Sequence, residues 1–428
     1  MAEQAQQLKR ETGVPGAILL GLGSIIGTGV FVSIGVAAGA AGSAVAAAIV
    51  IAAIVATCNG LSSAQLAASH PVSGGTYEYG YRYLSPVLGF TAGWMFLCAK
   101  TASAATAALG FAGYLAGMLD IDGGLERITI ALGAVFVLTI VVLGGLRRSN
   151  VMNTVIVLTT LTALLAFVVV ASSAGTQTSE PLTIVDTKVG IEGLLQATAM
   201  MFVAFTGYGR IATMGEEVKE PRRTIPRAMI ATLVVSMLIY AAVAAAAVTS
   251  VGSSGLAGAV VKDGAAPLAT VMNLLGHPSV ALLVSIGAMT AMLGVLLNLI
   301  LGMSRVWLAM GRRGDMPGGL ARINASGTTP VIAVILTSAL IAALVCIGDV
   351  KLTWSFSAFT VLIYYAITNI CALRLKGAER MFSPLLAIAG LIACLFLAFW
   401  VETEVWLAGL GTIAAGLIVR AIMRRKIS

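Results

Sequence analysis

Apolar residues in this chain come in long runs separated by short polar breaks. A helix crossing a bilayer needs about 20 mostly apolar residues. Twelve runs meet that length, at about 14–40, 43–69, 86–117, 127–146, 150–173, 190–215, 226–250, 278–304, 330–348, 352–373, 382–400 and 404–422. The pattern predicts an all-α polytopic membrane protein with twelve transmembrane helices. Residues 1–13 are polar, and no small-residue cleavage site follows the first apolar run. That run therefore reads as a retained first span and not as a signal peptide.

The charges orient these spans. With the N-terminus cytoplasmic, the inner loops and tails hold twenty of the 26 Lys and Arg residues, and the outer loops hold Arg127, Lys188, Lys262 and Lys351. This is the asymmetry of the positive-inside rule. It predicts a multi-pass protein of the cytoplasmic membrane with both termini inside. The net charge of +8 then reports topology, and no nucleic-acid partner is implied. Composition agrees: 59% of the 428 residues are hydrophobic and 10% are charged, against about 25% charged in soluble domains. Mean hydropathy is +0.99.

Candidate chemistry is sparse. The five cysteines (Cys58, Cys98, Cys346, Cys371, Cys394) fall in apolar runs without CxxC or metal-ligand spacing and read as packing residues. His70 and His277 stand at span ends, far apart in sequence. There is no HExxH, no Ser/His/Asp cluster, no paired intramembrane carboxylate and no GxxxxGK[ST] loop, which argues against an enzyme and implies no metal or cofactor. A channel would want a filter or a charged ring.

What stands out is glycine. The first run contains Gly21-Leu-Gly-Ser-Ile-Ile-Gly-Thr-Gly-Val-Phe31, and the sixth contains Phe202-Val-Ala-Phe-Thr-Gly-Tyr-Gly-Arg210. Each glycine weakens a helix by roughly 1 kcal/mol relative to alanine. Runs one and six lie five spans apart and so cross in opposite directions. Paired interruptions in two antiparallel halves are the mark of an inverted-repeat secondary transporter. A broken helix bares N–H groups at one half-helix end, which suit a carboxylate, and C=O groups at the other, which suit an ammonium. The competing reading is close helix–helix contact, for which Gly23 and Gly27 have the small-xxx-small spacing.

GSIIGTGVF resembles the first-helix signature of the amino acid–polyamine–organocation permeases. Three further stretches resemble that family in order: His70–Trp94 (HPVSGGTYEYGYRYLSPVLGFTAGW), Phe205–Met229 (FTGYGRIATMGEEVKEPRRTIPRAM), and Ser304–Pro317 (SRVWLAMGRRGDMP) followed by Thr329-Pro330. The resemblance is close over roughly residues 12–375. It implies a five-plus-five inverted repeat (the leucine-transporter-type fold) with helices 1 and 6 broken. On that reading, 1–13 is a cytoplasmic tail, 14–375 a transport core of helices 1–10, and 376–428 helices 11–12 with a tail. The resemblance further implies that Gly27, Thr28 and Gly29 offer N–H groups to a substrate carboxylate. The Ile25 and Ile26 carbonyls, with Ala204, Phe205 and Gly207 of helix 6, face the amino group. Phe202 and Tyr208 are candidate aromatic gates, and Glu217 with Arg305 is a candidate ion-pair gate.

The departures from the family are informative. Many relatives carry a glutamate in helix 3 where this chain has Ala99, and the next residue is Lys100. The frequent helix-2 Glu-Leu is Gln65-Leu66. Lys100 stands deep in the third span beside a stripe of small residues, Ala99, Ser103, Thr106, Gly110, Gly113 and Gly117. A cation there repels a cationic substrate, so neutral L-amino acids are the expected cargo. Thr160 stands where some relatives have a helix-5 lysine, and helix 8 has no adjacent Ser/Thr pair over 279–303. Coupling to a proton is favoured over sodium, with Lys100 either a displaced proton site or a fixed charge. Arg210 is a charge near the site or a cavity-facing residue paired with Glu216 or Glu217. The remaining alternatives are a cationic amino acid or polyamine permease of the same fold, and a transporter-like amino acid sensor without flux. A monomer suffices for such a site, and the oligomeric state stays open.

Overall fold

With no water at membrane depth to bind peptide groups, an apolar chain satisfies its backbone by coiling on itself. The computed structural model describes residues 12–70, 74–121, 123–145, 150–174, 180–212, 218–262, 266–324 and 329–425. Among them the ordered elements are helical, and the sole β contact is one bridge between Thr12 and Val218. The α-helices are α1 (Val14–Ile25), α2 (Ile34–Ala41), α3 (Val45–Ser69), α4 (Thr76–Tyr83), α5 (Pro86–Met118), α6 (Gly124–Leu143), α7 (Asn150–Ser173), α8 (Gly190–Phe205), α9 (Gly209–Ala212), α10 (Pro221–Lys262), α11 (Pro267–Leu274), α12 (Pro278–Arg312), α13 (Val331–Val345), α14 (Val350–Leu373), α15 (Pro384–Ala398) and α16 (Thr403–Arg425). Proline in the first turn starts α1, α5, α11, α12 and α15, where its missing N–H costs nothing. Ser85, Asp349 and Ser383 cap α5, α14 and α15 through their side chains.

Among the described residues, eight helical stretches are long and apolar enough to cross a membrane, and α1, α13 and α15 are shorter apolar helices. The chain is a polytopic helical membrane protein. Three features differ from the hydropathy pattern. The runs at 14–40 and 190–215 are each broken into pieces. Run 226–250 belongs to a longer helix from Pro221 that bends at Gly252 (φ 77°, ψ 162°). Two short helices, α4 and α11, lie in connections, where eight residues are too few to register as a span. Cys346 is exposed at the end of α13, unlike buried Cys371 and Cys394.

Hydrogen bonds sort the connections into two ends. At one end Lys219 N–H donates to the Thr12 carbonyl (3.0 Å), Ser69 Oγ to the Glu379 carbonyl (2.8 Å), and Arg222 to the Ala378 carbonyl. Arg313 pairs with Glu78 there, and Tyr77 and Tyr81 both donate to the buried Asp315 carboxylate (2.8 and 2.5 Å). At the other end Ser43 meets Asp186 and Thr183, Ser253 meets Glu180 (2.8 and 2.6 Å), and Lys351 pairs with Glu402 (2.8 Å). Between them runs a seam of small polar side chains joining α5 to α14. Ser103 bonds Ser357 (2.8 Å), Thr106 bonds Thr353 (2.9 Å), and Ser357 Oγ donates to the Ala99 carbonyl (3.0 Å). Small residues let helix backbones approach where lipid offers no hydrophobic drive.

The corner after α2 rests on Asp186. Gly42 turns the chain at φ 59°, and Asp186 Oδ2 accepts from both the N–H and the hydroxyl of Ser43 (3.0 Å each), while Oδ1 accepts from Lys188 N–H (2.8 Å). The backbone donors of Lys188 and Ser43 hold this carboxyl below the usual range. Stability from the ionised form is therefore present above the ordinary carboxylate pKa and is lost as pH falls through the lowered value. Asp186→Asn is expected to lower the thermal midpoint at neutral pH. Melting curves on acidification should show the gap to wild type closing below the ordinary carboxylate range.

Candidate substrate-binding site

α1 stops at Ile25. Ile26 is extended (φ −77°, ψ 107°), and the helix resumes with a π-helical turn, Gly29–Ser33, that leads into α2. Most carbonyls loosened by this break are taken up by side chains. Tyr240 of α10 donates to the Ile25 carbonyl (2.8 Å), Ser33 to Thr28 (3.2 Å), and Tyr114 of α5 to Phe31 (2.8 Å). Gly27 C=O accepts from Val30 and Phe31 N–H (3.2 Å each). Among the described residues, no hydrogen bond reaches the N–H groups of Gly27, Thr28 and Gly29 or the C=O of Ile26. The hydroxyl of Thr28 is buried without a partner as well. Three donors, a hydroxyl and one acceptor thus stand together in a buried segment, and an orphaned polar group there costs about 1–3 kcal/mol. Such a set matches a carboxylate beside an ammonium. Ile25, by contrast, has its carbonyl already engaged by Tyr240.

The second break faces the first. α8 ends at Phe205, Thr206–Tyr208 form a 3-10 turn, and α9 follows. A Cβ built on Gly207 would stand 2.2 Å from the Ser24 carbonyl oxygen, and one on Gly29 would stand 2.6 Å from Ala204 Cβ. The breaks touch backbone to backbone, which only glycine permits. Gly21 and Gly23 serve contact alone: their Cβ atoms would run into Ile211 and Asn153, and Asn153 Nδ2 donates to the Leu19 carbonyl (3.0 Å). Close contact thus accounts for Gly21 and Gly23, and the chain is broken at Gly27 to Gly29. The Phe205 ring lies 5.2 Å from that of Tyr240, so Tyr240 touches both interruptions.

Aromatic rings close the space around the second break. Phe202, Phe205 and Tyr208 are fully buried, with Tyr365 of α14 set against Phe202 (5.6 Å) and Tyr208 (5.4 Å). Tyr365 donates to the Thr206 carbonyl (3.5 Å) and Trp354 Nε1 to the Met200 carbonyl (3.0 Å). Lys100 reaches the break itself: Nζ donates to Thr206 Oγ1 (3.0 Å), whose hydroxyl donates to the Val203 carbonyl (2.8 Å), and it lies 6.0 Å from the Phe96 ring. Gln65 accepts from the Met381 and Phe382 N–H groups (3.2 and 3.3 Å), a structural task. The Thr160 hydroxyl turns back to the Ile156 carbonyl (2.7 Å). Glu216 and Glu217 lie outside the described residues, while Arg305 and Arg210 are exposed.

Two cavities, of about 430 and 230 Å³, lie at the end of the bundle that carries Asp186, and neither lies between the breaks. Residues 25–33 and 200–206 are buried, while Gly207 and Gly209 of the second break are partly exposed. No cluster of metal-ligating side chains occurs among the described residues. Sequence reasoning missed Tyr240, Tyr114 and Tyr365. Their signal was a tyrosine inside an apolar run, since a buried phenol needs a partner.

The amino acid permease family model matches residues 16–425. The chain is 40% identical over 424 residues to an uncharacterized transporter of Mycobacterium tuberculosis, covering 98% of this chain and 93% of that one. It is 28% identical to a branched-chain amino acid permease of Bacillus subtilis (98% and 94% covered). It is 27% identical to a mitochondrial cationic amino acid transporter of Arabidopsis thaliana (81% and 59% covered).

Three variants test the geometry. Gly207→Ala drives a methyl into backbone and is expected to destroy stability or transport, whereas Gly302→Ala in α12, with open space around it, leaves both unchanged. Tyr240→Phe leaves the Ile25 carbonyl without its donor and should cost about 1–3 kcal/mol, read as a lower thermal midpoint in detergent.

Proposed function

The chain belongs to the amino acid permease family, and we propose that it carries neutral L-amino acids across the cytoplasmic membrane by alternating access. Proteins of this kind are transporters and not enzymes. The observation that carries the reading is the set of free groups at the first break: the N–H groups of Gly27, Thr28 and Gly29, the Thr28 hydroxyl and the Ile26 carbonyl. They present the two signs of charge that a zwitterion needs. Helix 6 completes the site through Ala204, Phe205 and Gly207. Twelve spans arranged as two inverted sets of five, with two appended helices, account for breaks that meet from opposite directions. Phe202 and Tyr208 act as the gate, because they fill the space a substrate takes. Arg305 and Glu217 act as an ion-pair gate at the cytoplasmic end.

Lys100 supports neutral cargo. Two positive charges about 8 Å apart at an effective dielectric of about 20 repel by roughly 2 kcal/mol, or some 30-fold in affinity. The relative named for cationic amino acids keeps a cationic permease as the rival reading.

The test is uptake and counterflow in proteoliposomes with radiolabelled L-leucine, L-alanine, L-serine and L-arginine. Exchange of at least one neutral amino acid at a rate well above arginine is expected. Arginine carried faster than all three overturns the neutral assignment. Thermal shifts with the same compounds and no counterflow would identify a sensor.

A further inference from the structure

We propose that residues 180–189, between α7 and α8, form a strap that holds the substrate path shut at the end of the bundle carrying Asp186, an inference that rests on the transport reading above. The path opens there when the strap's two carboxylates release Ser43 and Ser253. The distribution of Lys and Arg makes this the outer end. The strap joins three elements. At the corner after α2, Asp186 Oδ2 accepts from the N–H and the hydroxyl of Ser43 (3.0 Å each), and the Ser43 and Thr183 hydroxyls bond each other (2.7 Å). At the start of α8, Asp186 Oδ1 accepts from Lys188 N–H and its carbonyl accepts from Gly190 N–H (2.8 Å each). Just past the bend of α10, the N–H and hydroxyl of Ser253 donate to Glu180 (2.8 and 2.6 Å).

Each tie falls on an element that bears on the substrate path. α2 continues helix 1 from the open groups at residues 26–29, and α8 runs into the second break. The part of α10 beyond Gly252 lies on α2. A Cβ on Gly35 would stand 2.5 Å from Val260 Cγ2, and one on Gly39 would stand 3.4 Å from Ala257 Cβ. α2 meets α8 as closely, since a Cβ on Gly193 would stand 2.2 Å from the Ala40 carbonyl oxygen. The strap thus crosses the ends of helices that have to part before anything reaches the breaks from this side.

This hold is built to release. Burial does not fix the strap: of residues 181–189 only Asp186 is buried, and Leu182, Ile184 and Val185 are exposed. A segment with so little apolar contact opens readily once its hydrogen bonds go. Beside each tie stands a glycine of positive φ, Gly42 (59°), Gly190 (67°) and Gly252 (77°), and hinge motions are absorbed at such loop and element-terminal positions. Room is present as well. The cavities of about 430 and 230 Å³ border the last turn of α2 and share Gly39 and Val189 in their walls. Asp186, Glu180 and Ser253 line the smaller one, so the bonds of the latch stand at the edge of a space into which they can turn.

The experiment locks the strap and then frees it, in the full chain. In the double variant Ser43→Cys, Thr183→Cys the sulfurs replace hydroxyls that stand 2.7 Å apart, near enough to be oxidised to a disulfide. Counterflow in proteoliposomes, with labelled L-leucine, L-alanine, L-serine and L-arginine as probes, is expected to be lost on oxidation with copper phenanthroline and to return with dithiothreitol. Wild type treated alike should not change. Equal counterflow with the bond closed, as read by mass spectrometry, overturns the proposal. The second arm removes the hold. Ala38 is buried in the wall of the smaller cavity. Adding Glu180→Ala to Ala38→Cys is expected to make a charged maleimide react at position 38 about tenfold faster, the effect of losing a hydrogen bond to a charged group. Equal rates overturn the proposal, and this arm decides where the double variant does not fold or its bond does not close. Wild type without counterflow for any probe overturns transport itself, and the labelling arm still decides for the strap.

Discussion

Inside a bilayer each peptide N–H and C=O must find a partner within the protein, and among the described residues a few stay without one at the break of α1. The cost of those orphans explains what surrounds them. Tyr240, Tyr114 and Ser33 take up the carbonyls that the break of α1 loosens, and Tyr365 and Trp354 do the same along helix 6. What remains open is a small group of opposite polarities centred on Ile26, Gly27 and Thr28. The helices that supply the caps, α5, α10 and α14, are among those that hold the two breaks together. On the proposed reading, the caps that stabilise the break also delimit the open groups that meet the ligand.

Much of this was legible in the residues. Runs of apolar residues located the helices, and the distribution of Lys and Arg anticipated which connections meet at each end of the bundle. Glycine clusters at 21–29 and 207–209 marked both interruptions. The rest depended on contacts remote in sequence. Tyr240 and Ile25 are 215 positions apart, and no local pattern ties a phenol in one span to a carbonyl in another. α4 and α11 escaped because a short helix in a connection has neither the length nor the hydropathy of a span. Lys100 was visible as an oddity from its depth alone, but its partner, Thr206, required the fold.

Polar contacts elsewhere divide the work. At the ends, ion pairs such as Lys351–Glu402 and Arg82–Glu379 are partly exposed and contribute little each. Asp315, buried beneath two tyrosines, and Asp186, beneath the Gly42 turn, are satisfied by several donors at once and fix the connections they serve. Along the interior seam of α5 and α14, serine and threonine replace apolar bulk, which keeps the two helices close without a charged group.

The backbone contact between Gly207 and Ser24 has a consequence for how such a protein diverges. On the proposed reading the main chain holds the part common to all amino acids, and any side chain at Gly207 collides with the Ser24 backbone of the first segment. On that reading a change of cargo falls to side chains such as Lys100, Phe96, Phe202 and Tyr365, which gather near the second break. One inherited backbone device can in this way serve a lineage of carriers whose substrates share little beyond their head group.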